Sequence, residues 1–170
     1  MQSEIDRILQ QASSVPVNIE AIARGLGLNV VKHATLSEGI SGQIKRLPDG
    51  RFEVASSGNE HDYRQRFTLA HELGHYVLHR SLIGAGVDDD TKYRSTAAGE
   101  FYNTAIDQLH ERQANSFAAS VLMPEKLLRE EHAKLKDADG KVNVSALCAK
   151  FQVSKSAMEW RLKNLGLLPR

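Results

Sequence analysis

The clearest chemical signal in the sequence is a pair of histidines that flank a glutamate. His71-Glu72-Leu73-Gly74-His75 has the form H-E-x-x-H. Because residues four apart lie on one face of a helix, both imidazoles can reach a single ion. Two such nitrogens would supply half of a tetrahedral zinc shell. Glu72 follows the first histidine directly, where its carboxylate can take a proton from water without binding the metal. The motif therefore predicts a metal site with a general base beside it.

The residues on either side of the motif indicate a buried helix. Phe67 to Ala70 and Tyr76 to Leu78 are mostly apolar. A solvated polar stripe is the alternative interpretation, but buried charge is costly unless it is paired or bound to metal, which favours a metal site. Gly74 costs a helix interior about 1 kcal/mol relative to alanine, so we expect another backbone to pass close to it.

A catalytic zinc needs a third protein ligand and an open position. The metzincin pattern would require glycine at position 78 and histidine at position 81, but the chain has Leu78 and Ser81 there. This excludes the metzincin class. His79 lies a further turn along, rotated about 80° from His71 by helix geometry, and is poorly placed to close on the same ion.

Glu111, on the next predicted helix, is the better candidate for the third ligand. Small residues on its face would let that helix come close; the face is formed by Glu111, Ala114, Asn115 and Ala118. Spacing alone leaves other ligands open, namely Asp107, His110 and His79. A surface ion pair of Glu111 with Arg112 is the structural alternative.

Composition places the chain among ordinary globular proteins. It has 170 residues, of which 41% are hydrophobic and 25% charged, enough for one domain with a core, or one plus a small appendage. No apolar run approaches 18 residues, so we expect no membrane span. The start of the chain lacks the features of a secretory signal, and the single Cys148, in an apolar helical setting, predicts a buried thiol rather than a disulfide. We therefore expect a cytoplasmic protein.

The formal net charge of +1 gives no overall nucleic-acid signature, but the charge is uneven. Residues 140–170 hold six basic residues against one acidic residue, and residues 88–111 hold six acidic residues against two basic ones. Such asymmetry is typical of a partner surface at one end, although solvated faces explain it equally well.

Periodicity predicts an α+β protein that is mainly helical. Helices are expected over 4–12 and Ile19 to Leu26, the latter closed by Gly27 in a left-handed conformation. Strands are expected from Val30, over Ile40 to Leu47 and over Arg51 to Ser56, with Pro48-Asp49-Gly50 as a turn. This gives a small antiparallel sheet of about three strands. Ser57 to Glu60 has the form of a capping box that opens the motif helix, which should run to about His79 or Arg80.

The second half of the chain is predicted as a long loop followed by helices. Residues 81–107 lack periodicity, and their place between the motif and the next helix favours a lid over a bland insertion. Helices are expected over Leu109 to Met123, from Pro124 to about Leu135, over Val144 to Phe151, and from the cap Ser154 to Leu165.

We expect a metal-binding domain over residues 1–135 and a helix-turn-helix-like pair over residues 136–170 packed on it. The less favoured interpretation of the pair is a DNA-binding module, in which Lys155, Arg161 and Lys163 meet phosphates. Trp160, Leu162 and Leu165 instead look like core residues.

The sequence resembles the ImmA/IrrE family of metallopeptidases. The resemblance lies in Arg64 to Tyr76 (RQRFTLAHELGHY), in Glu111 to Ala118 (ERQANSFA) and in Leu122-Met123-Pro124. It extends weakly to Pro16–Ala23 and Leu162–Leu168, and so covers most of the chain. The loop from Ser81 to Asp107 has no match.

The resemblance implies that the domain is zincin-like and that Glu111 is the third metal ligand. With Zn²⁺ on His71, His75 and Glu111, Glu72 would act as general base in peptide hydrolysis. Oxyanion stabilisation has three candidates: His79, Tyr102 and His110. The resemblance further implies a protein substrate, a helix-turn-helix (Xre-type) repressor of a mobile element, a stress response or a toxin-antitoxin pair. The alternative is a non-hydrolytic, metal-containing binding partner in a toxin-antitoxin or DNA-binding regulatory complex. The sequence does not indicate the oligomeric state.

Overall fold

The structure is a computed structural model, and it describes residues 2–83, 93–96 and 108–169. In these ranges the helices are α1 (Gln2–Gln11), α2 (Ile19–Gly25), α3 (Asp62–Leu78), α4 (Gln108–Leu122), α5 (Glu125–Lys134), α6 (Val144–Phe151) and α7 (Lys155–Asn164). The strands are β1 (Asn29–Ala34), β2 (Ile40–Arg46), β3 (Phe52–Ser57) and β4 (Tyr93–Thr96), and a 3₁₀ turn (Arg80–Leu82) follows α3. The α+β, mainly helical class predicted from the sequence is confirmed.

The sheet has the strand order β1-β3-β2-β4 within the described residues. β2 and β3 form the expected antiparallel hairpin, in which the Gly50 N–H donates to the Leu47 carbonyl at 2.9 Å and Gly50 has a φ of +83°. Two details differ from the sequence prediction. β1 is parallel to β3, and β4, within the predicted loop, pairs antiparallel with β2. β3 lies between β1 and β2, and its last four residues are buried.

Helix α3 begins later than the sequence predicts, so the predicted capping box is wrong. Its N-cap is His61, which accepts a hydrogen bond from the Tyr63 N–H at 3.2 Å. Ser57 instead ends β3 and accepts from the Asn59 N–H at 3.3 Å, while Glu60 accepts from the Ser41 hydroxyl at 2.8 Å. Ser57 therefore belongs to β3 and does not cap α3. The predicted Ser154 cap of α7 is confirmed, since its hydroxyl accepts from the Ala157 N–H at 3.2 Å.

The core runs between α3, the sheet and the later helices. On α3, Leu69 and Leu73 are buried beside Ile44 of β2 and Val54 of β3. The same apolar cluster includes residues of α6 and α7: Leu147, Cys148, Phe151, Met158 and Leu162. The division into domains at residues 135 and 136 stays a prediction. None of the helices in the described ranges has the length and apolar character needed to cross a bilayer.

Candidate metal centre

Helices α3 and α4 come close enough to share one site because small residues face each other. A Cβ atom added at Gly74 would lie 3.1 Å from both the Cα and the carbonyl oxygen of Ala114. Ala114 and Ala118 are fully buried. The prediction that a second backbone passes close to Gly74 is confirmed, and the passing backbone belongs to α4.

Three side chains converge at this contact. The Nε2 atoms of His71 and His75 lie 3.1 Å apart, and they lie 3.3 and 3.2 Å from the Oε2 and Oε1 atoms of Glu111. All three residues are buried, and one ligand atom from each lies within 4.8 Å of the others. Imidazole nitrogens and a carboxylate oxygen are ligands that zinc and other divalent transition metals accept. The donor set therefore fits a divalent metal ion.

The outward-facing nitrogens of both histidines have partners of their own. His71 Nδ1 lies 3.0 Å from Asn115 Oδ1, and His75 Nδ1 lies 3.1 Å from His79 Nδ1. His79 Nε2 in turn lies 2.9 Å from Gln113 Oε1. A proton on Nδ1 of His71, donated to the amide oxygen of Asn115, leaves the Nε2 lone pair directed at the site. His79 lies behind His75 and supports it.

The two histidines have opposite pKa shifts. Burial lowers the pKa of His71, but the hydrogen bond to Glu111 and the charges of Glu72 and Glu111 outweigh burial and raise it above the usual value. Burial lowers the pKa of His75 to about 4, since the nearby His71 and His79 rings oppose a further positive charge. Of the two rings, His71 therefore binds a proton more readily than His75.

Glu72 is fully buried next to the three donors. Strand β2 passes over it at Gly42, where an added Cβ atom would lie 3.0 Å from Glu72 Oε1 and 2.1 Å from Thr68 Cγ2. The glycine therefore leaves the space that the carboxylate occupies. Sequence reasoning missed Gly42; a glycine within a predicted strand, typical of a close approach, was the available signal.

The structure describes some of the other residues that were predicted from the sequence to have a role. His110 lies beside His79, with ring centroids 4.7 Å apart, and Arg112 is exposed without an ion pair in the described part of the chain. Asp107 and Tyr102 lie outside the described residues, as does most of the predicted lid. Cys148 is buried, as predicted, and burial raises the pKa of its thiol.

Of the basic residues proposed for DNA contacts, Arg161 is committed within the protein, whereas Lys155 and Lys163 are exposed. Arg161 Nε donates to the Met123 carbonyl at 3.2 Å, and burial lowers the pKa of its guanidinium. Lys155 lies 3.7 Å from Glu159 on the same helix. Arg161 therefore ties α7 to the turn between α4 and α5, which weakens the DNA-binding interpretation.

Comparison with known proteins places this arrangement in a family. The profile described as Peptidase_M78, IrrE N-terminal-like domain, matches residues 24–163. Metallopeptidase ImmA of Bacillus subtilis is 29% identical over 64% of this chain and 54% of its own length. The radiation response metalloprotease IrrE of Deinococcus radiodurans is 33% identical over 56% of this chain and 30% of its own length. The chain thus spans about half or less of these relatives.

A solved structure shows the same fold. A Mycobacterium tuberculosis transcriptional regulator superposes on 94% of this chain and 45% of its own, with a TM-score of 0.61 and 16% identity. At that identity the likeness concerns the fold alone. Since the family profile matches most of the sequence, including both helices that build the site, the chain belongs to the ImmA/IrrE family of metallopeptidases.

Proposed function

We propose that the chain is a zinc-dependent metalloendopeptidase in which His71, His75 and Glu111 hold the ion and Glu72 is the general base. The observation that carries this proposal is the convergence of two Nε2 atoms and one carboxylate within 3.3 Å, with a fully buried glutamate alongside. Three protein ligands are typical of catalytic zinc, whereas structural zinc is usually enclosed by four.

A divalent ion held by these residues would supply Lewis acidity, which activates water and polarises a peptide carbonyl. The protein contributes the positions of the donors. Asn115 and His79 orient the two imidazoles through their Nδ1 atoms, and such supporting contacts fix the ring orientation and raise the basicity of the ligands.

Glu72 holds and moves the proton. Its carboxylate lies in an environment shielded from solvent, and Gly42 leaves it room beside β2. It accepts a proton from the attacking water and donates it to the leaving amine, the two transfers that peptide hydrolysis requires. A glutamate within this motif that did not serve chemistry would be an expensive buried charge.

The proposed substrate is a helix-turn-helix (Xre-type) repressor in the cytoplasm, encoded near this chain. Two observations support a protein substrate: the family membership, and the names of two relatives, a metallopeptidase and a radiation response metalloprotease. A repressor of a mobile element, a stress response or a toxin-antitoxin pair would be inactivated by one cut that separates its DNA-binding and assembly parts.

The test compares two variants of the full chain with the parent protein on a purified neighbouring repressor. Glu72→Gln should keep stoichiometric zinc, measured by mass spectrometry of the metal, and lose cleavage by at least about a hundredfold, because general base catalysis contributes about 10²–10⁴. Glu130→Gln, an exposed glutamate on α5, is the matched control and should cleave normally. His71→Ala should lose the metal, and chelator should stop cleavage by the parent protein.

Each arm has an outcome that contradicts the proposal. Full turnover by Glu72→Gln would refute the general-base role, and stoichiometric zinc in His71→Ala would refute the ligand assignment. A repressor that is bound but stays intact with and without chelator would instead favour the non-hydrolytic binding partner. Restoration of cleavage by another divalent ion but not by zinc would correct the metal alone.

A further inference from the structure

A groove with both polar and apolar residues in its wall lies beside the metal centre. It has a volume of about 800 Å³ and runs between α3, α4 and α7. Its wall includes Arg64, Phe67, Arg112, Asn115 and Trp160. This volume is typical of a pocket that takes a ligand or a short peptide segment. Of the residues assigned to the metal centre above, only Asn115 lines the groove.

The groove shares helices with the metal centre. Asn115 lines the groove and contacts His71 Nδ1 at 3.0 Å. Phe67 lies one helical turn before His71, and Arg112 follows Glu111 directly. The groove and the metal centre therefore have Asn115 in common, and a segment bound in the groove would lie close to a metal-site histidine.

The groove is positively charged on one side and apolar on the other. Arg64 and Arg112 are exposed, and in the described part of the chain neither guanidinium makes an ion pair. No Asp or Glu from the described ranges lines it. The apolar side has Phe67 and Trp160. Trp160 is 46% exposed, so the prediction that it is a core residue is wrong. An exposed aromatic beside two arginines is typical of a recognition surface.

We propose that this groove binds an extended segment of the protein substrate that carries an acidic side chain next to an apolar one. The carboxylate would pair with Arg64 and Arg112, whose planar guanidinium groups match carboxylate geometry, and the apolar side chain would pack on Trp160. This subsite rests on the proposed peptidase function. It adds a substrate class to that function, namely segments that are acidic close to the bond that is cut.

Nucleic acid is the competing ligand, because phosphates also pair with arginine. A nucleic-acid backbone needs a track of basic residues over several phosphates. The basic residues of α7 do not extend such a track in the groove, since Lys155 and Lys163 do not line it and Arg161 donates to the Met123 carbonyl. The groove offers two cations and an apolar wall, which suits a peptide.

The experiment uses intrinsic fluorescence, because Trp160 is the single tryptophan of the chain. The full-length Glu72→Gln variant, which should not cut its ligand, is titrated with a blocked pentapeptide that has a central glutamate between two leucines. The same peptide with glutamine at the centre is the matched ligand. We expect the glutamate peptide to shift the Trp160 emission and to bind at least about fivefold more tightly, as expected for a charge-assisted contact.

Variants then assign the preference to the two arginines. Arg64→Gln and Arg112→Gln together should abolish the difference between the peptides, while Arg7→Gln, an exposed arginine on α1, should leave it unchanged. Equal binding of the two peptides, a preference that survives the double substitution, or an emission shift produced by duplex DNA and not by the peptides would each overturn the proposal.

This readout separates the groove from the peptidase function. Cleavage of the repressor with no preference between the peptides would overturn the groove and leave the peptidase intact. A clear preference for the glutamate peptide in a chain that cuts nothing would refute the peptidase and support the groove as a binding site. If both stand, the double substitution in the otherwise native chain should raise KM for the repressor and leave kcat within about twofold, as loss of uniform binding does.

Discussion

Two pairs of helices in this protein differ in the chemical type of the side chains that they bury. In the first pair, α3 packs on β2 and β3 and contacts α4; the second pair, α6 and α7, comes later in the sequence. On the first pair the buried polar residues are Gln65, Thr68, His71, Glu72, His75 and Glu111. On the second pair the buried residues are Leu147, Cys148, Phe151, Met158 and Leu162. Of the two pairs, only the first buries histidine and glutamate side chains.

The difference shows where the sequence departs from what folding alone requires. A buried polar group costs stability unless it is hydrogen-bonded, and a buried charge costs more. The first pair meets this cost by pairing: His71 with Asn115, His75 with His79, and both histidines with Glu111. The second pair, which looks like a DNA-binding module in sequence, follows the ordinary rules of a core. We therefore propose that the first pair carries the chemistry, while the second pair packs the core and contributes Trp160 to the proposed groove.

The largest effect should come from the apolar pair. Leu162→Ala and Met158→Ala remove fully buried side chains, so each should lower the free energy of unfolding by about 2–5 kcal/mol, measured by urea denaturation. The folded variants should still bind one equivalent of metal. Leu9→Ala, at a partly exposed leucine, is the control and should change stability by about 0.5 kcal/mol or less. Loss of metal from folded Leu162→Ala would show that the two pairs do not have separate roles.

A smaller loss of stability, with a larger loss of activity, should follow from filling the space above Glu72. In Gly42→Ala the new methyl group would meet Thr68 Cγ2 and Glu72 Oε1, and overpacking of this kind costs about 1–3 kcal/mol. Because the carboxylate must move, we expect the cleavage rate to fall further than the stability loss explains. Gly25→Ala is the matched control, since an added Cβ there meets nothing within 4 Å. Unchanged cleavage by Gly42→Ala would remove the proposed role of β2.

The supporting contacts behind the ligands should have a moderate effect. Asn115→Ala leaves His71 Nδ1 without its amide partner, and loss of such a contact typically weakens metal binding by about 10- to 100-fold. Gln113→Ala acts one residue further out, through His79, and should weaken binding less. Competition with a coloured chelator measures both, and Asn59→Ala, at an exposed position, is the control. Equal affinities in all three variants would show that the ligands orient themselves.

Much of this site is predictable from the sequence because its parts are local. The spacing of His71 and His75 places both rings on one helical face. The small residues Gly74 and Ala114 indicate that two helices pack closely. The third ligand is different. Spacing alone left Asp107, His110 and His79 open beside Glu111, because the register of α4 against α3 depends on packing between distant segments. The family resemblance selected Glu111, and the structure brings Glu111 to the two histidines.

The features that the sequence did not predict all depend on contacts between distant elements. Gly42 matters only because β2 lies over Glu72, and no local pattern gives that register. The parallel pairing of β1 and the fourth strand likewise follow from sheet order. The capping box at Ser57 failed because the local signal for a cap competed with a strand that takes the same residue. Tertiary structure therefore overrode the local preference for a cap at Ser57.

The smallest effect concerns the link between the two regions, at Glu131 and His132 of α5. Burial, with the nearby charge of Lys136, lowers the pKa of His132 below its ordinary 6.5, and hydrogen bonds from Lys134 and Lys150 lower the pKa of Glu131 below 4.5. Both groups bind protons more readily in the unfolded chain, so their contribution to stability is complete above the unfolded pKa values and is lost as pH falls. For His132 the loss begins near pH 6.5.

A comparison of variants isolates the contribution of His132 from that of the metal centre. The free energy of unfolding of the parent chain and of His132→Asn should be measured in urea at several values between pH 8 and pH 5. The metal-site histidines contribute equally to both proteins and cancel in the difference. The parent chain should lose stability more steeply than the variant below pH 6.5, since only the parent carries the His132 imidazole, whose pKa is lowered in the folded state. Parallel profiles would mean that His132 titrates as in the unfolded chain, and the acid sensitivity of the protein would then come from other groups.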